Sequence, residues 1–248
     1  MAITTFQRYE KKFLLSESQY KSIYPGLMQY LCLDGNCMDG QGYSIYNIYY
    51  DTDSSSIIRS SLSKPYYKEK FRLRSYSLPK SLNSKVFLEL KKKIGGIVNK
   101  RRAVLTLGEA YNFLKNGRRP LNMDYMNTQV LNEIEFFLQT NAVKPAAYIS
   151  YDRIALFSKD GSNFRITFDN NIITRREDLS MEKGRFGKDL LEPGKFLMEV
   201  KVPGAFPMWL ANLLSDNQIY QTSFSKYGRE YMHNLLSNRA EYRLNIAV

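Results

Sequence analysis

Residues 67–77 read YKEKFRLRSYS, and their strict alternation decides the fold class. Lys70, Arg72 and Arg74 share one face of an extended strand, while Phe71 and Leu73 share the other. The same period of two recurs outward in both directions. In KVFLELKKK (85–93), Glu89, Lys91 and Lys93 oppose Val86, Leu88 and Leu90. In FRITFD (164–169), Arg165, Thr167 and Asp169 oppose Phe164, Ile166 and Phe168, and in FLMEVKV (196–202), Glu199 and Lys201 oppose Met198, Val200 and Val202. Near the N-terminus Arg8, Glu10 and Lys12 line up in the same way, and shorter strands are predicted at 44–52, 100–107 and 146–156.

Helical patterns fall between these strands, at 15–27, 107–117, 125–139, 209–214 and a C-terminal stretch around GREYMHNLL (228–236). Ser16 is placed to cap the first helix, which is expected to stop near Pro25. Gly95-Gly96 and Asp160-Gly161 are hairpin signals, and residues 175–195 are expected to form a long mobile loop. Strands that follow one another through hairpins, with helices added, predict an α+β fold in a single domain, 1–248.

The chain carries 36 Lys+Arg against 24 Asp+Glu, a formal net charge of +12, so its expected partner is a polyanion. His233 is the only histidine, which excludes histidine triads and multi-histidine metal sites. Neither G-x-x-x-x-G-K-[ST] nor G-x-G-x-x-G occurs, so side chains rather than a glycine loop must hold any nucleotide. Cys32 and Cys37 lack a second pair and are expected to be free thiols in a reducing, cytoplasmic compartment. No run of about 18 apolar residues suggests a transmembrane segment, which leaves room for a membrane-bound partner.

An alternating strand ordinarily has one face on the core and one in water. Here the polar faces are dominated by Arg and Lys with single carboxylates inserted. Closing the sheet into an antiparallel β-barrel, with helices packed on its apolar outside, would turn those faces inward. An interior crowded with cations is costly unless an anion compensates them. Arginine forks and lysine point charges suit phosphate oxygens, while isolated carboxylates suit Mg²⁺ or Mn²⁺ bridging to phosphate. Lys92, Lys93, Arg101 and Arg102 belong to charge runs, expected to be solvated. Tyr49, Tyr50 and Asp51 are read as core and turn residues.

RYEKKF (8–13), YYDT (49–52), KFRLRSY (70–76), FLELKKK (87–93), NKRR (99–102), YDR (151–153), FRITFD (164–169), LMEVK (197–201) and FSKYGRE (224–230) follow in one order. In that order and spacing the chain resembles the polyphosphate polymerase domain of vacuolar transporter chaperone (VTC) complexes, within the triphosphate tunnel metalloenzyme superfamily. The resemblance implies a tunnel that transfers the γ-phosphate of ATP to inorganic polyphosphate and releases ADP. It also implies that Lys12, Arg72, Arg74, Lys91, Lys100, Arg153, Arg165, Lys201, Ser225 and Lys226 contact phosphate. Arg72, Arg74, Arg153, Arg165 and Glu199 would be catalytic, with Glu199 the metal-binding carboxylate and Glu89 and Glu10 further metal candidates. The superfamily's first strand reads E-x-E-x-K, where this chain has Arg8, Glu10 and Lys12, a change that favours a phosphate polymer over a two-glutamate metal site. Two other functions stay open: a triphosphatase in the same tunnel, and a non-catalytic module binding polyphosphate, RNA or an anionic surface. Nucleic acid is the less favoured partner, because it would need basic residues on the outside beside exposed stacking platforms.

Overall fold

The computed structural model describes the backbone of residues 9–37, 40–95, 97–121 and 123–246, with side chains up to residue 238. Arg8 and Gly96, named above, lie outside the described residues. The chain gathers into two compact units, each assembled from segments distant in sequence. The first comprises residues 1–45, 150–173 and 191–223; the second comprises 46–149, 174–190 and 224–248.

In the first unit β1 (Tyr9–Leu15) pairs with β10 (Phe196–Val202) and with β11 (Gln221–Thr222), and β10 pairs with β8 (Arg165–Arg175). A short β2 (Leu31–Leu33) pairs with β7 (Lys144–Ser158), the strand next to β8. In the second unit β3 (Tyr43–Asp51), β4 (Tyr67–Ser75), β5 (Lys85–Ile94) and β6 (Ile97–Thr106) pair in sequence order, and β9 (Lys188–Asp189) adds to β8. Every register described is antiparallel. Together with the six α-helices among the described residues this is the expected α+β class. Closure is another matter: among the described residues no pairing joins either set of strands into a ring, so the expected barrel is not part of the observed sheet.

Each unit has its own core on the apolar faces that alternation predicts. In the second, Phe71, Leu73, Leu88, Leu90 and Ala103 are fully buried against α3 (Leu107–Asn116) and α4 (Tyr125–Thr140), which contribute Ala110, Phe113, Leu131, Ile134 and Phe137. In the first, Phe13, Leu15, Ile166, Phe168, Met198 and Val200 pack against Ile23 and Leu27 of α1 (Glu17–Tyr30) and Leu210 and Leu214 of α5 (Met208–Asp216). Each fully buried Leu, Ile or Phe contributes roughly 1.5–3 kcal/mol. In each unit the charged faces of the strands therefore turn away from the helices that cover the apolar ones.

Three local expectations are corrected. α1 does not stop at Pro25 but runs on to Tyr30. An interior proline costs about 3 kcal/mol or more, yet Ser16 and Gln19 form a capping box at the start, and Ile23 and Leu27 on either side of the proline are fully buried. At Gly26 the helix passes so close to α5 that an added Cβ would stand 3.0 Å from Leu213. Second, a helix with no sequence forecast, α2 (Ser56–Leu62), forms because Asp51 accepts hydrogen bonds from the backbone N–H groups of Ile57 and Ile58 at its start. Third, the part of the 175–195 segment within the second unit is pinned. The buried Arg175 guanidinium donates to the carbonyls of Asp178, Ser180, Gly184 and Phe186 and lies over Tyr148, 3.5 Å from its ring centroid. α6 (Lys226–Ile246) begins at the predicted C-terminal helix and carries His233 on its exposed side.

Candidate functional site: two charged ladders

Antiparallel register converts alternation into cross-strand rows, because residues directly opposite each other point to the same face. In the second unit one row runs Tyr49, Arg72, Glu89, Arg102, and the next runs Lys70, Lys91, Lys100. Glu89 is 1% exposed. Its carboxylate accepts from Arg72 Nε at 2.8 Å and Arg102 Nε at 2.7 Å, and forms ion pairs with Lys100 at 2.6 Å and Arg74 at 3.7 Å. Burial would raise the Glu89 pKa, but the fields of Arg72, Arg74, Lys100 and Arg102 outweigh it and hold the carboxyl far below its ordinary range. The Lys100 pKa is lowered as well. Desolvation and the three guanidiniums push its pKa down, against the pull of Glu89.

The rims of this cluster are equally ordered. Arg72 donates to the Tyr49 hydroxyl at 2.9 Å, and Arg74 to Asn47 Oδ1 at 2.9 Å. Arg102 donates to the Tyr76 hydroxyl at 2.6 Å and lies over the Phe87 ring, 4.6 Å from its centroid. Lys70 donates to Ser225 Oγ at 2.9 Å, and the same oxygen accepts from the N–H of Gly228 in the first turn of α6. Lys226, the next residue, is buried.

In the first unit the rows are Thr222, Lys12, Glu199, Thr167 and Glu10, Lys201, Arg165. Lys12 stands between two carboxylates, 3.2 Å from Glu10 and 3.4 Å from Glu199, with Lys201 at 3.9 Å and 4.0 Å from the same pair. Arg153 forks onto the fully buried Asp169 at 2.6 and 2.7 Å and reaches Glu199 at 3.7 Å. Arg165 lies over Phe157, 4.7 Å from its ring centroid. The Thr167 hydroxyl, opposite Glu199, and Arg165 Nε are buried without a hydrogen-bond partner.

The structure thus places Arg72, Arg74, Lys91, Lys100, Glu89, Ser225 and Lys226 in the second unit, and Lys12, Arg153, Arg165, Lys201, Glu199 and Glu10 in the first. Glu89 is 1% exposed and ringed by four cations, which disfavours it as a metal ligand relative to Glu10, whose side chain is 25% exposed. Arg153 places its fork on Asp169 and reaches Glu199 at 3.7 Å. Arg102, expected to be solvated, is a partner of Glu89. Arg101 and Lys92 are likewise paired, both with Glu133 on α4. Tyr49, expected to be core packing, accepts from Arg72. No local signal marks these residues; only the register shows which side chains share a row.

The sequence model of the VTC domain family matches residues 7–233. The chain belongs to the VTC domain family. Comparison of this VTC domain with curated protein sequences finds no match. Among solved structures it is similar to a candidate adenylate cyclase from Bacillus halodurans, at 14% identity and a TM-score of 0.52, covering 87% of this chain and 92% of that one. It is similar too to a candidate adenylyl cyclase from Hippeastrum whose dominant activity is that of a triphosphatase, at 15% identity and a TM-score of 0.51, covering 89% and 93%. At these identities the VTC domain shares a fold with both.

Among the described residues no group of three or more His, Cys, Asp or Glu converges, and no helix is long and apolar enough to cross a membrane. The donor set still fits a hard divalent cation. Glu10 and Glu199 share one face, and the partnerless Thr167 hydroxyl lies opposite Glu199. Mg²⁺ is commonly held by one or two carboxylates with substrate phosphates and waters completing the shell.

Proposed function

We propose that this VTC domain is a polyphosphate polymerase that transfers the γ-phosphate of ATP to the end of an inorganic polyphosphate chain. The observation that carries this reading is the surplus of positive charge in the second unit. One buried carboxylate, Glu89, meets Arg72, Arg74, Lys100 and Arg102, beside a row of three lysines, Lys70, Lys91 and Lys100. Like charges directly opposite on a sheet are destabilising, so such a row is sensible as a seat for a polyanion. The reading takes 1–248 as one functional domain and the sheet as the wall of a tunnel. The free thiols of Cys32 and Cys37 fit the reducing compartment it assumes.

In the proposed reaction a terminal oxygen of the chain attacks the γ-phosphorus of ATP. The new P–O bond forms as the bond to the β–γ bridging oxygen breaks, and ADP leaves with that electron pair. No protein nucleophile is needed, because phosphoryl transfer depends on alignment and charge neutralisation. Arg72 and Arg74, pre-oriented by Glu89 and Asn47, stabilise charge on the transferred group, with Lys91, Lys100, Ser225 and Lys226 on neighbouring phosphates. Lys12, Arg165 and Lys201 serve the same end in the first unit, where Arg153 holds Glu199. Glu199 and Glu10 would hold Mn²⁺ or Mg²⁺, which when bound neutralises phosphate charge.

Incubating the purified protein with ATP and Mn²⁺ or Mg²⁺ tests this directly: long phosphate polymer should appear with ADP. Arg72→Ala should lower the rate roughly a hundredfold or more, the usual effect of removing one preorganised donor. Inorganic phosphate without polymer would replace the polymerase by a triphosphatase with water as acceptor, a reading favoured by the shared fold with the Hippeastrum protein. Tight tripolyphosphate binding with no turnover of ATP would leave a binding module.

A further inference from the structure

Arg72 is held from two sides. Glu89 takes Nε and Nη2, at 2.8 and 2.7 Å, and the Tyr49 hydroxyl accepts from Nη1 at 2.9 Å. Tyr49 is itself fixed. Its ring stacks on Tyr227 with centroids 4.8 Å apart, and the Tyr227 hydroxyl donates to Asp51 Oδ2 at 2.8 Å. Asp51 is fully buried and also caps α2. Two buried tyrosines on β3 and the first turn of α6 thus anchor one guanidinium of the cationic row, and Ser225 on the same turn holds Lys70. An aromatic pair in the core would need no such hydroxyl contact.

We propose that Tyr49 is a positioning residue for Arg72 and that its ionisation gates phosphate-chain binding, the neutral phenol being the binding-competent form. This rests on the phosphate-chain function proposed above and adds the residue that regulates it.

The groups facing the Tyr49 hydroxyl are Arg72, Arg74 and Lys70 from β4, with Tyr227 from α6 on its ring and Glu89 of β5 beyond Arg72. Burial raises the phenol pKa, but Arg72, Arg74 and Lys70 together bring it down to about 8. Above that value a phenolate neutralises part of the Arg72 charge and repels an incoming phosphate. As a neutral acceptor it leaves Arg72 cationic and oriented.

Tripolyphosphate without metal is the probe, and calorimetric affinity across a pH series is the measurement. Wild-type affinity should fall as pH rises through about 8. Tyr49→Phe should lose that limb, and should bind about tenfold more weakly at neutral pH, the effect of losing one hydrogen bond to a charged group. Ionisation of tripolyphosphate itself is common to both proteins and cancels in the comparison. An identical limb in the two proteins would overturn the proposal. If Tyr49→Phe does not fold, tyrosinate absorbance of the wild-type protein decides. One tyrosine should ionise before the others, and saturating tripolyphosphate should move it to higher pH; a titration unmoved by the anion would refute the gate. Binding with the expected limb but no polymer from ATP would instead sink only the polymerase.

Discussion

The two charged ladders share a construction and differ in balance. In the first unit Lys12, Lys201 and Arg153 meet three carboxylates, Glu10, Glu199 and Asp169, so nearly every cation there has an anionic neighbour. In the second unit three guanidiniums, Arg72, Arg74 and Arg102, meet at Glu89 together with Lys100, whose own charge burial and those guanidiniums disfavour. A balanced cluster is largely self-compensated. An unbalanced one stores repulsion that a polyanion relieves. The same alternating sequence pattern therefore gives one face whose charges nearly cancel and one with a surplus of cations.

The largest effect should come from deleting the counter-ion of the unbalanced cluster. Glu89→Gln leaves buried cations uncompensated and should cost about 3–5 kcal/mol in chemical denaturation, with tripolyphosphate restoring much of it. Equal loss with and without the anion would break the contrast. In the balanced cluster, Asp169→Asn removes the charge under Arg153 and should cost about 3 kcal/mol, unrelieved by tripolyphosphate.

The third expectation concerns pH. The folded-state pKa of Glu89 is depressed, so its contribution is complete above the unfolded value of 4.5 and is lost as pH falls through the lower folded value. Lys100 is also depressed, to about 6 from 10.5, so the unfolded chain binds its proton more tightly and stability should rise with pH across that interval. The Tm of Lys100→Arg should rise less across the same interval, and tripolyphosphate should flatten the wild-type slope. The smallest effect serves as a control. Lys21→Ala breaks an exposed pair with Glu17 on α1, in neither cluster, and should leave the Tm of the protein unchanged.

Much of this was legible before any tertiary structure. The faces of β4, β5, β8 and β10, the cap at Ser16 and the hairpin signals were readable because each depends on residues only a few positions apart. The partners of Glu89 were not. Arg102 looked like one charge in a run, and Tyr49 like one apolar residue among several, until pairing of β3, β4, β5 and β6 set them in one row with Arg72. Pro25 inside α1 and the pinning of 175–190 by Arg175 escaped for the same reason. Each is decided by burial or by carbonyls brought together from elsewhere in the unit.

By itself the sequence determined which residues alternate and which faces are cationic, since side-chain direction along a strand is a local property of the backbone. Only the tertiary structure decided which cations share a carboxylate, and hence which cluster is balanced. Strand register is a long-range choice, and a slip of one residue would have turned every one of these side chains to the opposite face.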